Sequence, residues 1–327
     1  MLVSVIIPSA GRRSEFLKRA IQSALIDDSV IHTEIIVVLN GKEGMVFDTK
    51  KAFQHPSVKY YKIEQGNVSK ARNYGLSLAN GELIRFLDDD DYLYPDIASQ
   101  QYIELYQSDV DLSTYAGAIE DNNIRYQVIE PIEIDDYCAA TLSAHCPALT
   151  FATVYKNKII KNIKWNEDSY IAEDEEWMRA LSYPKAPIWL YNKKIVGVWF
   201  QHQCLRLSFS LGHPLYYKNR AESINKLLNH LFCIGGLTMQ RKEYAAQGLW
   251  SAIHGGFYFE PIYWTKIAFY ARKLDPHSMP DEPFFNKLPC WIHPLVIEWL
   301  MLPKRWLNHQ VRLLKQKLGY NSSIRKI

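Results

Sequence analysis

Ahead of Asp88, short runs of apolar, mostly β-branched residues alternate with segments of helical period, and that alternation leaves few folds open. Val3 to Ile7, Glu34 to Leu39 and Leu83 to Leu87 are nearly continuous apolar runs, as expected of strands covered on both faces, and Lys59 to Ile63 is a fourth candidate. Between the first two, Phe16, Leu17, Ala20, Ile21, Ala24 and Leu25 recur at helical spacing, with Ser14 available as N-cap. Val68 to Ala79 has the same character and ends at the helix-stopping pair Asn80-Gly81. The pattern predicts an open α/β sheet, whose ligands gather outside the carboxyl ends of its strands.

The residues just past those strand ends are polar. They are Pro8-Ser9-Ala10-Gly11-Arg12-Arg13, Asn40-Gly41-Lys42 and Asp88-Asp89-Asp90-Asp91. Neighbouring carboxylates ~4 Å apart repel by ~1 kcal/mol in water and by more at a partly buried site, so the acidic run calls for a cation. Alternate carboxylates can give one or two oxygen ligands to Mg²⁺ or Mn²⁺, leaving the other positions to diphosphate oxygens and water. The competing reading is a solvated acidic turn ahead of a helix that starts near Pro95. Position at a strand's carboxyl end favours the metal.

Five pieces in order carry a family resemblance: Val3-Ser4-Val5-Ile6-Ile7-Pro8, Glu34-Ile35-Ile36-Val37-Val38, Ala71-Arg72-Asn73-Tyr74-Gly75 with Gly81-Glu82, Phe86-Leu87-Asp88-Asp89-Asp90-Asp91, and Glu173-Asp174 before Trp177. Over about residues 2 to 210 the chain resembles the family 2 glycosyltransferases of the GT-A fold. The resemblance implies an α/β, Rossmann-like mixed sheet flanked by helices and an inverting sugar transfer from a nucleotide-sugar donor. It implies that Asp88 and Asp90 are the acids of a D-x-D motif that holds Mn²⁺ or Mg²⁺, with Asp89 at the variable position and Asp91 beside the metal or donor sugar. Pro8, Ser9, Ala10, Gly11 and Arg12 would wrap the nucleobase and ribose, and Arg72 and Asn73 would lie near the nucleotide. For Arg72 the alternative is a surface cation on an exposed helix face. The family's usual Asp-Asp pair after the second strand is replaced here by Leu39-Asn40. Asn40 can still read a uracil edge through its amide.

The second carboxylate cluster, Glu173-Asp174-Glu175-Glu176, resembles the family's acceptor-side motif, which implies Asp174 as general base with Glu173 beside the substrate. Glu175 and Glu176 read as an acidic first helical turn that favours the helix dipole. His202 follows a strand-like segment, and the resemblance puts it over the diphosphate, as metal ligand or phosphate donor, with Arg206 neutralising the same group. A plain loop histidine is the alternative. His145 either lines the acceptor pocket or has no role there.

Strand-like Asp111 to Ala116, Tyr126 to Ile132 and Ile188 to Val198, with a helix around Glu173 to Leu181, continue the chain beyond residue 110. The expected organisation is a catalytic domain over 1–212, its first part, 1–110, binding the nucleotide sugar and 111–212 forming the acceptor side. A mainly helical extension over 213–327 follows, beginning with helices at Tyr217 to Phe232 and Tyr244 to Ala252. A net charge of +3 argues against a nucleic-acid partner. The five cysteines form no C-x-x-C pair, and no secretory signal is recognisable, which together predict a cytoplasmic protein.

Trp291 to Leu302, interrupted by Pro294 and Glu298, is too short to span a bilayer. Leu302 to Leu318 reads as a cationic helix with aromatic anchors, because Trp299 to Ile327 contains no acidic residue. Such a helix suits the surface of an anionic membrane, and with it a lipid-linked or other glycan acceptor; a core-covering helix or a homo-oligomer interface is the alternative. Two rival activities share parts of the pattern: a sugar nucleotidyltransferase, and a non-catalytic nucleotide-sugar or glycan-binding protein of the same fold. The first expects a glycine-rich loop after the first strand, where this chain has a single glycine.

Overall fold

In the computed structural model the alternation becomes β1 (Leu2–Ser9), α1 (Ser14–Ala24), β2 (His32–Asn40), α2 (Gly41–Val46), β3 (Val58–Ile63), α3 (Val68–Leu78), β4 (Leu83–Phe86), β5 (Tyr92–Leu93) and α4 (Pro95–Gln107). The structure describes residues 1–317 apart from 122–123, 146–147, 203–212, 288 and 290–291. β1 lies between β2 and β4 and is parallel to both, and β3 extends the parallel set beyond β2. Ser9 pairs with Leu39 and Ile6 with Phe86, so the polar segments after β1, β2 and β4 leave the sheet along one edge.

The second part adds β6 (Leu112–Asp121), β7 (Ile124–Ile129), α5 (Tyr137–Leu142), β8 (Thr153–Lys156), α6 (Asn157–Ile160), α7 (Glu173–Ala180) and β9 (Trp189–Gln201). It continues the same sheet in the order β3-β2-β1-β4-β8-β6-β9-β5, with β7 paired to β6. β8 joins β4 antiparallel, which turns the parallel sheet into a mixed one. Ser14 is not the N-cap of α1: it is the first helical residue, and no side chain caps that end. α3 does have a side-chain cap, the Asn67 carboxamide accepting from the Lys70 amide.

Among the described residues four α-helices follow: α8 (Pro214–Cys233), α9 (Met239–Gly256), α10 (Pro261–Leu274) and α11 (Pro294–Lys317). Pro261 and Pro294 each occupy a first helical position, where the missing N–H costs nothing. Prolines that read as interruptions are therefore starts, and α11 runs on through Pro303. The buried apolar residues form two clusters, one around the sheet and one among α8, α9 and α10. α5 faces both: Tyr137 and Ala140 belong to the first, Cys138 and Leu142 to the second. Gly248 lets α9 approach α5 closely, since a Cβ there would sit 2.1 Å from the Leu142 carbonyl oxygen.

A buried polar seam ties α7 to α8. Glu175, read from the sequence as a first-turn acid favouring the helix dipole, is 4% exposed. It accepts from Arg179 at 2.9 Å, from Arg220 at 3.2 Å and from the Tyr216 hydroxyl at 2.8 Å. Burial alone would raise the Glu175 pKa, but the charges of Arg220 and Arg179 outweigh it and hold the carboxyl below the ordinary glutamate value. A depressed carboxyl stabilises the fold above its unfolded pKa, and that contribution is lost as the pH falls through the folded value. Glu175→Gln should therefore cost ~1.5–3 kcal/mol at neutral pH. Thermal melts should show the gap between variant and parent closing on acidification.

Candidate functional site

The site grows from the carboxyl ends of β1, β2 and β4. Gly11 takes a left-handed φ of +73°, turning the loop after β1 back on itself, and its amide donates to Ser9 Oγ at 3.0 Å. Ser9 Oγ in turn donates to Asp89 Oδ2 at 2.5 Å, which locks the loop to the acidic turn after β4. Asn40, at the end of β2, donates from its amide to the Ser9 carbonyl at 3.0 Å. Arg12 points away into an ion pair with Glu43 at 3.0 Å, both about half exposed.

The four aspartates are held differently. Asp88 is the most open of them and accepts from Arg72 at 2.8 Å. Asp89, Asp90 and Asp91 are 5%, 8% and 4% exposed, which excludes a fully solvated turn. Asp89 also accepts from Arg13 at 2.6 Å, and Asp91 accepts from the Phe200 amide at 3.1 Å, pinning the end of β9. Burial pushes the Asp89 carboxyl up to about 6, against the opposing pull of Arg13.

Asp90 Oδ2, His202 Nε2 and Arg13 Nη1 converge. The oxygen and the imidazole nitrogen are 2.9 Å apart, and the guanidinium nitrogen lies 2.7 Å from each. Neighbouring ligands of an octahedral ion with ~2.1 Å bonds are ~3 Å apart, so this oxygen and nitrogen fit Mg²⁺ or Mn²⁺ in spacing and in donor type. Arg13 shows that the pair already attracts a cationic group. Among the described residues no three His, Cys, Asp or Glu side chains form a ready-made metal cage. A metal held here would take further ligands from substrate and water.

Arg72 is not a surface cation. It is 2% exposed, packs over the Trp165 ring at 4.2 Å and bridges Asp88 to Glu173, 2.8 and 3.2 Å away. One buried charge thus joins the acidic turn after β4 to the first turn of α7. Trp165 is itself stacked on Trp177, with ring planes 1° apart. Asn73 serves the same wall: its amide donates to the Trp165 carbonyl and to Glu167, and its oxygen accepts from the Trp165 amide. Its side chain is engaged with this loop.

Asp174 stands in the first turn of α7, directly after Glu173 and the left-handed Ala172. Its Oδ1 accepts from the Glu175 amide at 2.8 Å. Burial, then the neighbouring charges of Glu173 and Glu175, push its carboxyl up to about 7, while the Glu175 amide and Arg72 pull the other way. A carboxylate that holds its proton this tightly is a far better base than an ordinary aspartate, and it is still deprotonated above neutrality.

Arg206 lies outside the described residues. His145 is exposed and meets Asp281 at 3.1 Å. Sequence reasoning passed over Arg13 and Arg19. Arg19 packs over Phe200 and Tyr92, 4.0 and 4.4 Å from their centroids, and donates to the Asp90 carbonyl at 2.7 Å. The signal for Arg13 was present, because a run of four acids demands a buried cation and Arg13 ends the facing loop.

A model of a family described as glycosyl transferase family 2 matches residues 4–196. EpsH of Bacillus subtilis (strain 168) is 23% identical over 230 residues, which are 64% of this chain and 66% of that protein. The minor teichoic acid biosynthesis protein GgaB of the same strain is 24% identical over 248 residues, 66% of this chain and 27% of its own length. Across the first curated relatives the chain spans between 18% and 66% of their length. Among solved structures, S. aureus TarS 1-349 in complex with UDP-GlcNAc superposes with a TM-score of 0.61 at 18% identity, covering 85% of this chain and 82% of that one. At that identity the likeness bears on the fold alone, and the mixed sheet with helices on both faces and a helical C-terminal part is the GT-A arrangement. With the family match spanning more than half of the chain and the fold agreeing with it, this chain belongs to the family 2 glycosyltransferases.

Proposed function

We propose that the chain transfers a sugar from a UDP-sugar to a hydroxyl of a glycan or lipid-linked acceptor of a surface polysaccharide, with inversion at the anomeric carbon. The carrying observation is the ion-pair chain from Asp88 through Arg72 to Glu173, beside the proton-hungry Asp174. It sets a base one residue from Glu173, which shares Arg72 with the donor-side acidic turn. The TarS complex with UDP-GlcNAc supports the donor class.

In this reading Asp88, Asp90 and His202 would hold Mn²⁺ or Mg²⁺, and Asp89 and Asp91 shape the donor pocket. When bound, the ion would neutralise charge on the departing diphosphate. Ser9, Asn40 and the loop from Pro8 to Arg12 form the wall for the nucleoside. Asp174 accepts the proton of the acceptor hydroxyl as its oxygen bonds to the anomeric carbon. The bond from that carbon to the diphosphate oxygen breaks on the opposite face, and the electron pair leaves with the nucleoside diphosphate. Asp174 then returns the proton to water.

Calorimetric titration of UDP with and without Mn²⁺ tests the donor half. Asp90→Asn is expected to weaken the Mn²⁺-dependent binding roughly 10–100-fold and to leave metal-free binding unchanged. Equal binding by parent and variant would remove Asp90 from the metal. Mn²⁺-dependent UDP binding with no hydrolysis or transfer of any UDP-sugar would favour a binding protein of the same fold.

A further inference from the structure

The sugar-transfer site leaves α11 unused, and that helix has a second apolar face. Val296, Trp299, Leu300, Trp306, Leu307 and Leu314 are all between 41% and 72% exposed. At 100° per residue they fall within an arc of about 120°, so they form one stripe along the helix. The face that packs on the protein is a different one. Leu295 and Glu298 are buried there, and Glu298 meets His254 at 2.7 Å and Arg305 at 2.6 Å. Trp299 donates to Thr265 at 3.2 Å, which brings the stripe beside the exposed Ile262 and Phe269 of α10.

Charge identifies the occupant. From Trp299 to Ile327 the sequence has seven basic residues and no acidic one, and among the described residues of that stretch Arg305 pairs with Glu298. In the sequence Lys304, Arg312 and Lys315 recur at intervals of eight and three residues, a spacing that favours one side of a helix. A second copy of the chain would bring two such cationic strips together, whereas an anionic surface would neutralise them. Tryptophans within a leucine-rich stripe flanked by lysine and arginine suit the boundary between headgroups and acyl chains. None of the described helices is long and apolar enough to cross a membrane. We propose that α11 lies flat in the surface of an anionic phospholipid bilayer, with the Val296 to Leu314 stripe in the acyl boundary and the basic strip against the headgroups.

Flotation of the full chain with vesicles tests this. The chain is expected to float with phosphatidylcholine–phosphatidylglycerol vesicles, to stay down with phosphatidylcholine alone, and to be released by high salt. Replacing Trp306 and Leu307 with glutamate should lower the bound fraction at least ~10-fold while leaving the melting temperature unchanged, since both side chains are exposed. Failure of the parent to float with anionic vesicles would overturn the proposal. So would a dimer by light scattering that the double variant abolishes, which would give the stripe to a second copy. A fall in melting temperature in the double variant would assign it to the protein's own core.

Discussion

Asp174→Asn is expected to slow sugar transfer by roughly 10²–10⁴-fold while leaving the affinity for UDP and Mn²⁺ intact. The amide has the shape of the carboxyl and can keep the bond from the Glu175 amide, but it cannot take a proton. The pH profile gives a second readout. Because the carboxyl is pushed up to about 7, the parent's kcat/KM should fall tenfold per unit below that pH and level off above it. Stability should move the other way. A carboxyl whose folded pKa is raised favours the fold below its unfolded value, and the advantage is lost as the pH rises through the folded one. The variant should therefore melt higher than the parent at pH 8, and the difference should vanish on acidification. Rates within twofold of the parent would remove Asp174 as the base.

Arg72→Met is expected to cost ~3–5 kcal/mol of stability, the loss typical of taking one partner from a buried ion pair. Asp88 and Glu173 would then face each other's surroundings without the charge between them, and Trp165 would lose the group that packs on its ring. Arg72→Lys should recover only part, since a single ammonium cannot reproduce the two-pronged contact. Activity separates this bridge from simple packing. Arg72 pulls the Asp174 pKa down, so its removal should move the acid limb of the kcat/KM profile to higher pH, by an amount that Arg72→Lys largely restores. A melting temperature unchanged in Arg72→Met would show that the bridge carries little stability. An unshifted profile would show that it does not reach the base.

The parallel core was legible because β1, β2 and β4 are apolar on both faces, and periodicity alone marks such strands. The convergence of their ends followed from topology. What the chain did not declare were contacts between residues far apart in sequence. Nothing near Glu175 signals that Arg220 will bury beside it, so an acidic first turn was the natural reading. The family resemblance put Asn73 near the nucleotide, and no local pattern announced that its amide would also tie down the loop from Trp165 to Glu167. The C-terminal helices were blurred by their prolines. A proline at a first helical position and a proline that breaks a helix carry the same local signature until the packing is known.

α5 gives its two sides to different cores, and Gly248 is what allows α9 to lie against it. A chimera that joined the sheet of this protein to the C-terminal helices of a relative by cutting at residue 212 would separate Leu142 from the surface it was shaped for. The incoming helices would need a glycine opposite the Leu142 carbonyl in the place of α9 and an arginine to meet Glu175 in the place of α8. Swapping whole C-terminal parts between relatives is thereby limited to partners that share this small set of matched residues, and α5 has to travel with the helices.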